Sequence, residues 1–239
     1  MKEQLQRDFD NIIKNLSLSQ KDIEIKRFCL DNFIDRGFPN RREEDWKFSD
    51  LNQIIKKNIG ELSFYSDYTS TNKVDTSVFV DGLEHNKIVF INGRIEKIDF
   101  DYEKKNQIEI IDQSETINKF SNNNSLSDLN NAFTNKSFKI LVKNGYQLQK
   151  PLIIYHTTNS KIWSKNINLR LDFELGKDSS LRLIDLFNDT SEKNFLNIFY
   201  NFNLKENAVL KNYKVDKLEN KNIKYSHNNI DQGKNSISE

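Results

Sequence analysis

Residues 167–187, INLRLDFELGKDSSLRLIDLF, and 196–216, LNIFYNFNLKENAVLKNYKVD, superpose at an offset of 29. Ile167 falls on Leu196, Leu169 on Ile198, Phe173 on Phe202, Leu175 on Leu204 and Leu181 on Leu210. Each copy reads as strand, polar turn, strand. A weaker upstream copy puts Val142 and Leu148 where the others have Leu175 and Leu181. No helix separates these strands, which argues against a βαβ sheet. Repeated short strands closed by polar turns predict the stacked rungs of a parallel β-helix, where every rung buries its apolar residues against the rungs above and below. The competing architecture is an antiparallel sandwich built of hairpins.

Upstream of the repeat, Val78-Phe79-Val80, Ile88-Val89-Phe90-Ile91 and Ile108-Glu109-Ile110-Ile111 read as short strands, with turn signals at Asp81-Gly82 and Asn92-Gly93. Residues 121–135 carry polar capping candidates followed by Leu126, Leu129, Ala132 and Phe133, which predicts one short helix. The first 60 residues are helical in pattern. Leu5, Phe9, Ile12, Ile13 and Leu16 share one face of a 3.6-residue period. A second helix is marked by an S-x-x-D capping box at Ser19 and Asp22, a hydrophobic staple of Leu18 and Ile23, and a stop at Gly37. A third runs from about Ser49 to Asn58, with Leu51, Ile54 and Ile55 inward and Gly60 beyond it. The chain therefore divides into a helical region at 1–60, a linker at 61–77 and a β region at 78–239. The fold class is mainly β.

The chain of 239 residues is long enough for a substantial core, and 36 Lys+Arg against 35 Asp+Glu leave a net charge of +1. Such a balance offers no bulk attraction to nucleic acid or to an anionic membrane. No apolar run approaches the roughly 18 residues that span a bilayer, and the N-terminus alternates charged with apolar residues, unlike a signal peptide. A single cysteine, Cys29, excludes an internal disulfide framework and any multi-thiolate metal site made by one chain, and fits a reducing, cytoplasmic setting. Only 7 Gly and 2 Pro occur, and Asn fills turn positions that Gly often takes.

Few residues signal chemistry. His85, His156 and His227 are evenly spaced by 71, without any local metal-binding pattern, and are read as surface or turn residues. Cys29, between Phe28 and Leu30, reads as a small buried hydrophobe rather than a nucleophile. No nucleophile elbow, phosphate-binding loop or dinucleotide fingerprint occurs. The best acidic cluster is Asp172, Asp178, Asp185 and Asp189 with Glu174 nearby, the set a carbohydrate-active β-helix enzyme would need. Alternation along a half-buried strand explains the same residues as a solvated face or turn. In the repeat Asp178 aligns with Asn207 and Asp185 with Lys214, which disfavours a repeated acidic face.

One segment stands apart: Gly37-Phe38-Pro39-Asn40-Arg41-Arg42-Glu43-Glu44-Asp45-Trp46-Lys47-Phe48-Ser49-Asp50-Leu51. Pro39 holds Phe38 extended, so the chain leaves the second helix sharply. The structural expectation is a connector anchored by Trp46 and Phe48, with Arg41 or Arg42 paired to Glu43, Glu44 or Asp45. This segment resembles the G-[FL]-P-[TS]-R-[RK]-x-E-[DE]-W-K-[YF]-[TS]-x-L signature of the SufD members of the SufB/SufD family. Gly37, Phe38, Pro39, Arg41, Arg42, Glu44, Asp45, Trp46, Lys47, Phe48, Ser49 and Leu51 match, and Asn40 departs from it. Leu129 to Pro151 is similar to the family's L-N-x-A, strand, G-x-x-L-x-x-P segment. Leu175 to Leu181 resembles its G-x-x-[AS]-x-L rungs.

The resemblance implies a right-handed parallel β-helix behind a helical N-terminal region. It implies a non-catalytic scaffold subunit of the Suf iron–sulfur cluster assembly complex, acting in cluster assembly and iron supply beside a SufB-like subunit and a SufC-like ABC ATPase. No cofactor is expected on this chain alone; the cluster belongs to the SufB–SufD interface of the full complex. Family members continue with further rungs and a C-terminal helical segment, whereas this sequence reaches Glu239 part-way through the coil, so truncation or completion by another chain is expected. An open last rung predicts self-association, a homodimer or larger. His227 precedes those regions and takes no role from the resemblance. A β-helix interaction module is the third reading.

Overall fold

In a computed structural model, residues 2–16, 18–64, 73–113, 124–158, 162–188, 193–217 and 222–239 are described. The chain begins with helices α1 (Lys2–Lys14), α2 (Gln20–Arg36) and α3 (Leu51–Asn58), followed by the strands β1 (Ser63–Phe64), β2 (Asn86–Ile91), β3 (Arg94–Asp99) and β4 (Ile108–Asp112). Helix α4 (Ser125–Phe133) precedes β5 (Ser137–Val142), β6 (Leu152–Thr157), β7 (Lys165–Leu175) and β8 (Ser180–Asn188). Strands β9 (Phe195–Leu204), β10 (Val209–Lys217), β11 (Ile223–Gln232) and β12 (Ile237–Ser238) complete it.

From β5 onward the chain coils into a β-solenoid of about three turns. Odd strands β5, β7, β9 and β11 stack as one parallel sheet, and even strands β6, β8, β10 and β12 as the other. The offset of 29 is a physical register: Ile167 pairs with Leu196, Phe173 with Phe202, Leu175 with Leu204 and Leu181 with Leu210. Val142 lies beside Leu175, and Gln147 bridges Ser180 next to Leu148. Parallel pairing rules out the sandwich of hairpins. Antiparallel pairs occur only where β3 joins β2 and β4 joins β5 among the described strands. Alternate residues of each strand face inward, so Leu169, Leu171, Phe173, Leu175, Leu181, Leu183, Ile198 and Phe202 fill the lumen.

The corners repeat as faithfully as the strands. Gly145, Asp178, Asn207 and Asn235 occupy the same place in successive turns with φ of 72°, 57°, 57° and 57°. The N–H two positions further back along each corner climbs the stack, Gly176 to Val142 O at 2.9 Å, Lys205 to Leu175 O at 2.9 Å and Gly233 to Leu204 O at 2.7 Å. Asp and Asn tolerate this left-handed conformation better than other side-chain residues. At Gly176 the turns approach so closely that a Cβ would lie 2.6 Å from the Asn144 backbone nitrogen.

The helices pack outside the odd-strand sheet. Leu5, Phe9 and Ile12 of α1, Leu30 and Phe33 of α2, Leu51 and Ile55 of α3, and Leu126, Leu129 and Phe133 of α4 form one apolar cluster with Phe195 and Phe199 of β9. Ser19 caps α2 by accepting the Asp22 N–H at 3.2 Å; the Asp22 carboxylate meets the Ser19 hydroxyl instead of reaching back to the cap's N–H. The Asn92-Gly93 signal marks a true two-residue hairpin between β2 and β3, with both φ positive at 53° and 79°.

Val78-Phe79-Val80 corrects the strand expectation. Thr76–Val78 is a single 3-10 turn, and Phe79 and Val80 lie face-on against Val89, Ile153 and Tyr155 of the even-strand sheet. An apolar triplet gains more by covering that face than by pairing along an edge. Asp81-Gly82 makes a bend, with the Asp81 carboxylate accepting the Gly82 N–H at 2.8 Å, and no hairpin. Within the expected linker, Ser63–Phe64 pairs with the start of β7, and residues 65–72 lie outside the described residues. The helix expected within 121–135 is α4; residues 121–123 also lie outside them.

Candidate functional site

The segment 37–51 is the joint between helices and solenoid. Gly37 ends α2 with φ 74° and donates its N–H to Phe33 O at 2.7 Å. Phe38 then turns inward and meets Phe33 and Phe195 edge-on, with ring centroids 5.1 and 6.0 Å away. Pro39 O accepts the Leu51 N–H at 3.0 Å, closing the segment into a loop. Inside it, Asn40 Oδ1 accepts the Arg42 N–H at 3.1 Å, and Glu43 Oε1 accepts the Asn40 N–H at 3.1 Å. Asn40 thereby supplies the turn-forming side chain at the position where the signature has Thr or Ser.

Trp46 ends a 3-10 turn and lies over Tyr225 of β11 at 6.0 Å. Phe48 departs from its expected anchoring role: it is 86% exposed. The charged residues also depart from expectation, since Glu44 pairs with Lys47 at 3.3 Å rather than with an arginine. Tyr225 sits in an aromatic row with Phe199 and His227, and accepts the Asn124 amide at 3.0 Å. The row spans β9 and β11, so residues 37–48 seat the helical region on two successive turns. Burial, with Lys214 adding to it, lowers the His227 pKa.

Two histidines correct the surface reading. His85 is buried, with Nε2 2.7 Å from the Tyr155 hydroxyl, and its pKa falls because of burial. His156 is buried inside the lumen between the rings of Phe90 and Phe187. There it joins Asp185, which is also buried and not on a solvated face: His156 Nε2 lies 2.8 Å from Asp185 Oδ1, and the Tyr200 hydroxyl donates to Asp185 Oδ2 at 2.5 Å. Burial alone would raise the Asp185 carboxyl, but His156 and Tyr200 outweigh it and hold the carboxyl below its ordinary value. Burial and then Asp185 push the Tyr200 phenol well above its own.

Toward the third turn the inward-facing residues become polar and partly exposed. Register places Lys214 over Asp185, Asp216 over Phe187, Ser226 over Ile198 and Asn228 over Tyr200. Lys214 Nζ donates to Ser226 Oγ and, at 2.9 Å, to Asn228 Oδ1, while standing 4.7 Å above the Tyr200 ring. Lys224 Nζ pairs with Asp216 and lies 3.8 Å from the Phe187 ring centre. The alignment of Asp185 with Lys214 carried this signal.

The acidic cluster does not assemble. Asp172 accepts the Asn201 amide outside the odd-strand sheet, and Glu174 pairs there with Lys139. Asp178 occupies a corner, where it accepts the Asn207 amide at 2.6 Å, and Asp185 is in the lumen. Asp189 lies outside the described residues. No group of three or more His, Cys, Asp or Glu side chains arranged to hold a metal occurs among the described residues.

Lys26 carries no motif that marks it in the sequence. It is buried in α2, and its Nζ donates to the carbonyls of Asn131 at 3.0 Å and Thr134 at 2.5 Å at the end of α4. Its place on the stripe Asp22, Lys26, Cys29, Leu30, Phe33 is the available signal. Burial lowers its pKa to about 8, Arg170 adding to the effect against Cys29 and Asp22. Cys29 is buried beside it, its thiol pushed up to about 11 by burial and then by Asp128.

Fold and site together define a class: a β-solenoid carrying a helical cap clamped on by a Phe-Pro and Trp connector. No family model and no curated protein matches the chain. No helix among the described residues is long and apolar enough to cross a membrane.

Proposed function

We propose that this chain is a SufD-type scaffold subunit of the Suf iron–sulfur cluster assembly system, with no catalytic role of its own. It would work in the cytoplasm with a SufB-like subunit and a SufC-like ABC ATPase, the nascent cluster lying at the subunit interface of the full complex. The observation that carries the reading is the joint at 37–51. Gly37, Phe38, Pro39, Trp46 and Leu51, which match the family signature, make the turns and aromatic contacts that seat helices on a parallel β-helix. Right-handedness of the coil belongs to the same proposal. Dispersal of Asp172, Asp178 and Asp185 over three environments speaks against the carbohydrate-active alternative.

The test is affinity purification of the tagged protein from its own cells, at native expression, under anaerobic conditions. Co-elution of SufB- and SufC-like subunits in one complex by size exclusion is the expected result. A preparation lacking both partners overturns the proposal.

A further inference from the structure

Outside the lumen, the even-strand sheet carries a ribbon of apolar side chains that passes from covered to bare as the coil climbs. Parallel register stacks Ile153, Ile184 and Tyr213 in one outward column, and Tyr155, Leu186 and Val215 in the next. Ile153 and Tyr155 are 0% and 1% exposed, Ile184 and Leu186 are half-buried, and Tyr213 and Val215 reach 54% and 50%. The cover at the buried end is the chain's own segment 74–80. Phe79 lies against the Tyr155 ring with centroids 4.9 Å apart, and Val80 donates its N–H to the Tyr155 hydroxyl at 3.0 Å. Lys87 and Lys97 stand over the Phe79 ring at 5.9 and 5.7 Å. An aromatic side chain and a β-branched neighbour, with Phe79 extended at φ −74° and ψ 143°, therefore fill this seat.

A solenoid repeats its outer surface with its rungs. The columns that receive Phe79 and Val80 continue one and two turns on with apolar residues, and at Tyr213 and Val215 these stand half in water. A contiguous apolar patch of this kind marks an interaction site where scattered apolar residues would not. The outward positions of β8 and β10 also hold Arg182, Lys211 and Lys217 and no carboxylate, Lys211 being paired with Glu239 at 2.8 Å. Two copies of this face set together would oppose like charges. A cation beside an incoming aromatic ring would instead repeat the arrangement of Lys87 and Lys97 around Phe79.

We propose that the outer face at Ile184, Leu186, Tyr213 and Val215 docks an extended peptide segment of a partner protein, one that presents an aromatic next to a β-branched side chain as Phe79 and Val80 do. The docking goes beyond the scaffold role and does not rest on it.

The probe is the peptide KVDTSVFVDG, a copy of residues 73–82, titrated to about 1 mM into the isotope-labelled whole protein and read by amide NMR. Shifts are expected to centre on β8 and β10 around those four residues. The same peptide with Ala in place of Phe should bind about tenfold or more weakly, as loss of a docked ring predicts. Tyr213→Thr and Val215→Thr keep a strand-forming residue at exposed positions, so each should hold the melting temperature within about 4 °C. Together they should weaken the peptide by about tenfold or more. The comparison of the two peptides on the parent protein serves if either variant does not fold. No shifts, equal binding of the two peptides, or binding insensitive to the folded variants would overturn the proposal. Shifts confined to β2 and β6, the mark of exchange with the chain's own segment, would overturn it too. So would a dimer of the parent protein in sedimentation that Tyr213→Thr abolishes, since a second copy would then be the occupant.

Discussion

At the scale of single residues, the corners show how a glycine-poor sequence makes tight turns. Asn207 holds φ 57° between Asp178 below and Asn235 above. Left-handed backbone costs an ordinary L-residue roughly 1–2 kcal/mol, and a β-branched side chain more. Asn207→Gly should therefore be near neutral in urea unfolding, apart from the Asn207–Asp178 hydrogen bond it removes. Asn207→Val should lose about 2 kcal/mol or more. Composition made this legible, since abundant Asn beside scarce Gly already marked the turns. Asp185 was not legible in the same way. A carboxylate on an alternating strand reads as solvated, and only the third dimension brings His156 and Tyr200 to meet it. His156 and Lys26 were hidden for the same reason: a polar side chain is read as exposed unless its partners, distant in sequence, are known.

At the scale of elements, the alternation of apolar residues defined the register of β7 with β9 and of β8 with β10, because a slip of one residue would turn every side chain to the other face. Pattern gave less help at Val78-Phe79-Val80, where apolar residues cover a sheet instead of extending one. In the joint, burial separates the roles of the aromatic residues. Phe38 is 9% exposed between Phe33 and Phe195, so Phe38→Ala should cost about 3–5 kcal/mol by thermal or denaturant unfolding. Phe48→Ala, at a largely solvated ring, should stay within about 0.5 kcal/mol. Equal effects of the two substitutions would contradict the anchoring described for Phe38.

For the whole molecule, the contact of α2 with α4 leaves a signature in alkaline titration. Folded Lys26 titrates at about 8 against an ordinary 10.5, so above pH 8 the unfolded chain holds a proton that the folded chain releases. Stability should therefore rise with pH from about 8, approaching about 1.4 kcal/mol per pH unit at most. Cys29 acts oppositely: its folded value of about 11 lies above the ordinary 9.0, so above pH 9 the unfolded chain is the one that releases a proton first. The rise should flatten near pH 9, and fall away above 10, where the raised phenols of Tyr155 and Tyr200 also favour protonated, folded protein. Urea unfolding from pH 7.5 to 10 checks this course. Lys26→Met should abolish the rise between 8 and 9 while lowering stability at pH 7.5 by roughly 1–3 kcal/mol, the cost of leaving buried carbonyls unpaired.

The solenoid is coupled only between neighbouring turns, each strand of β7–β10 hydrogen-bonding to the strand one repeat away. In such a molecule the stability of each turn follows from what it stacks on. Its middle turns enclose Phe173, Phe202, Leu175 and Leu204, whereas β10 and β11 meet through the partly exposed Lys214, Ser226 and Asn228, which water can solvate. Amide exchange should be slowest in β7 and β9, whose inward residues are apolar, and faster in β10 and β11, which face each other across polar ones. Uniform protection across all four strands of the odd sheet would show instead that the helical cap, through Trp46 and Tyr225, locks the last turn to the rest.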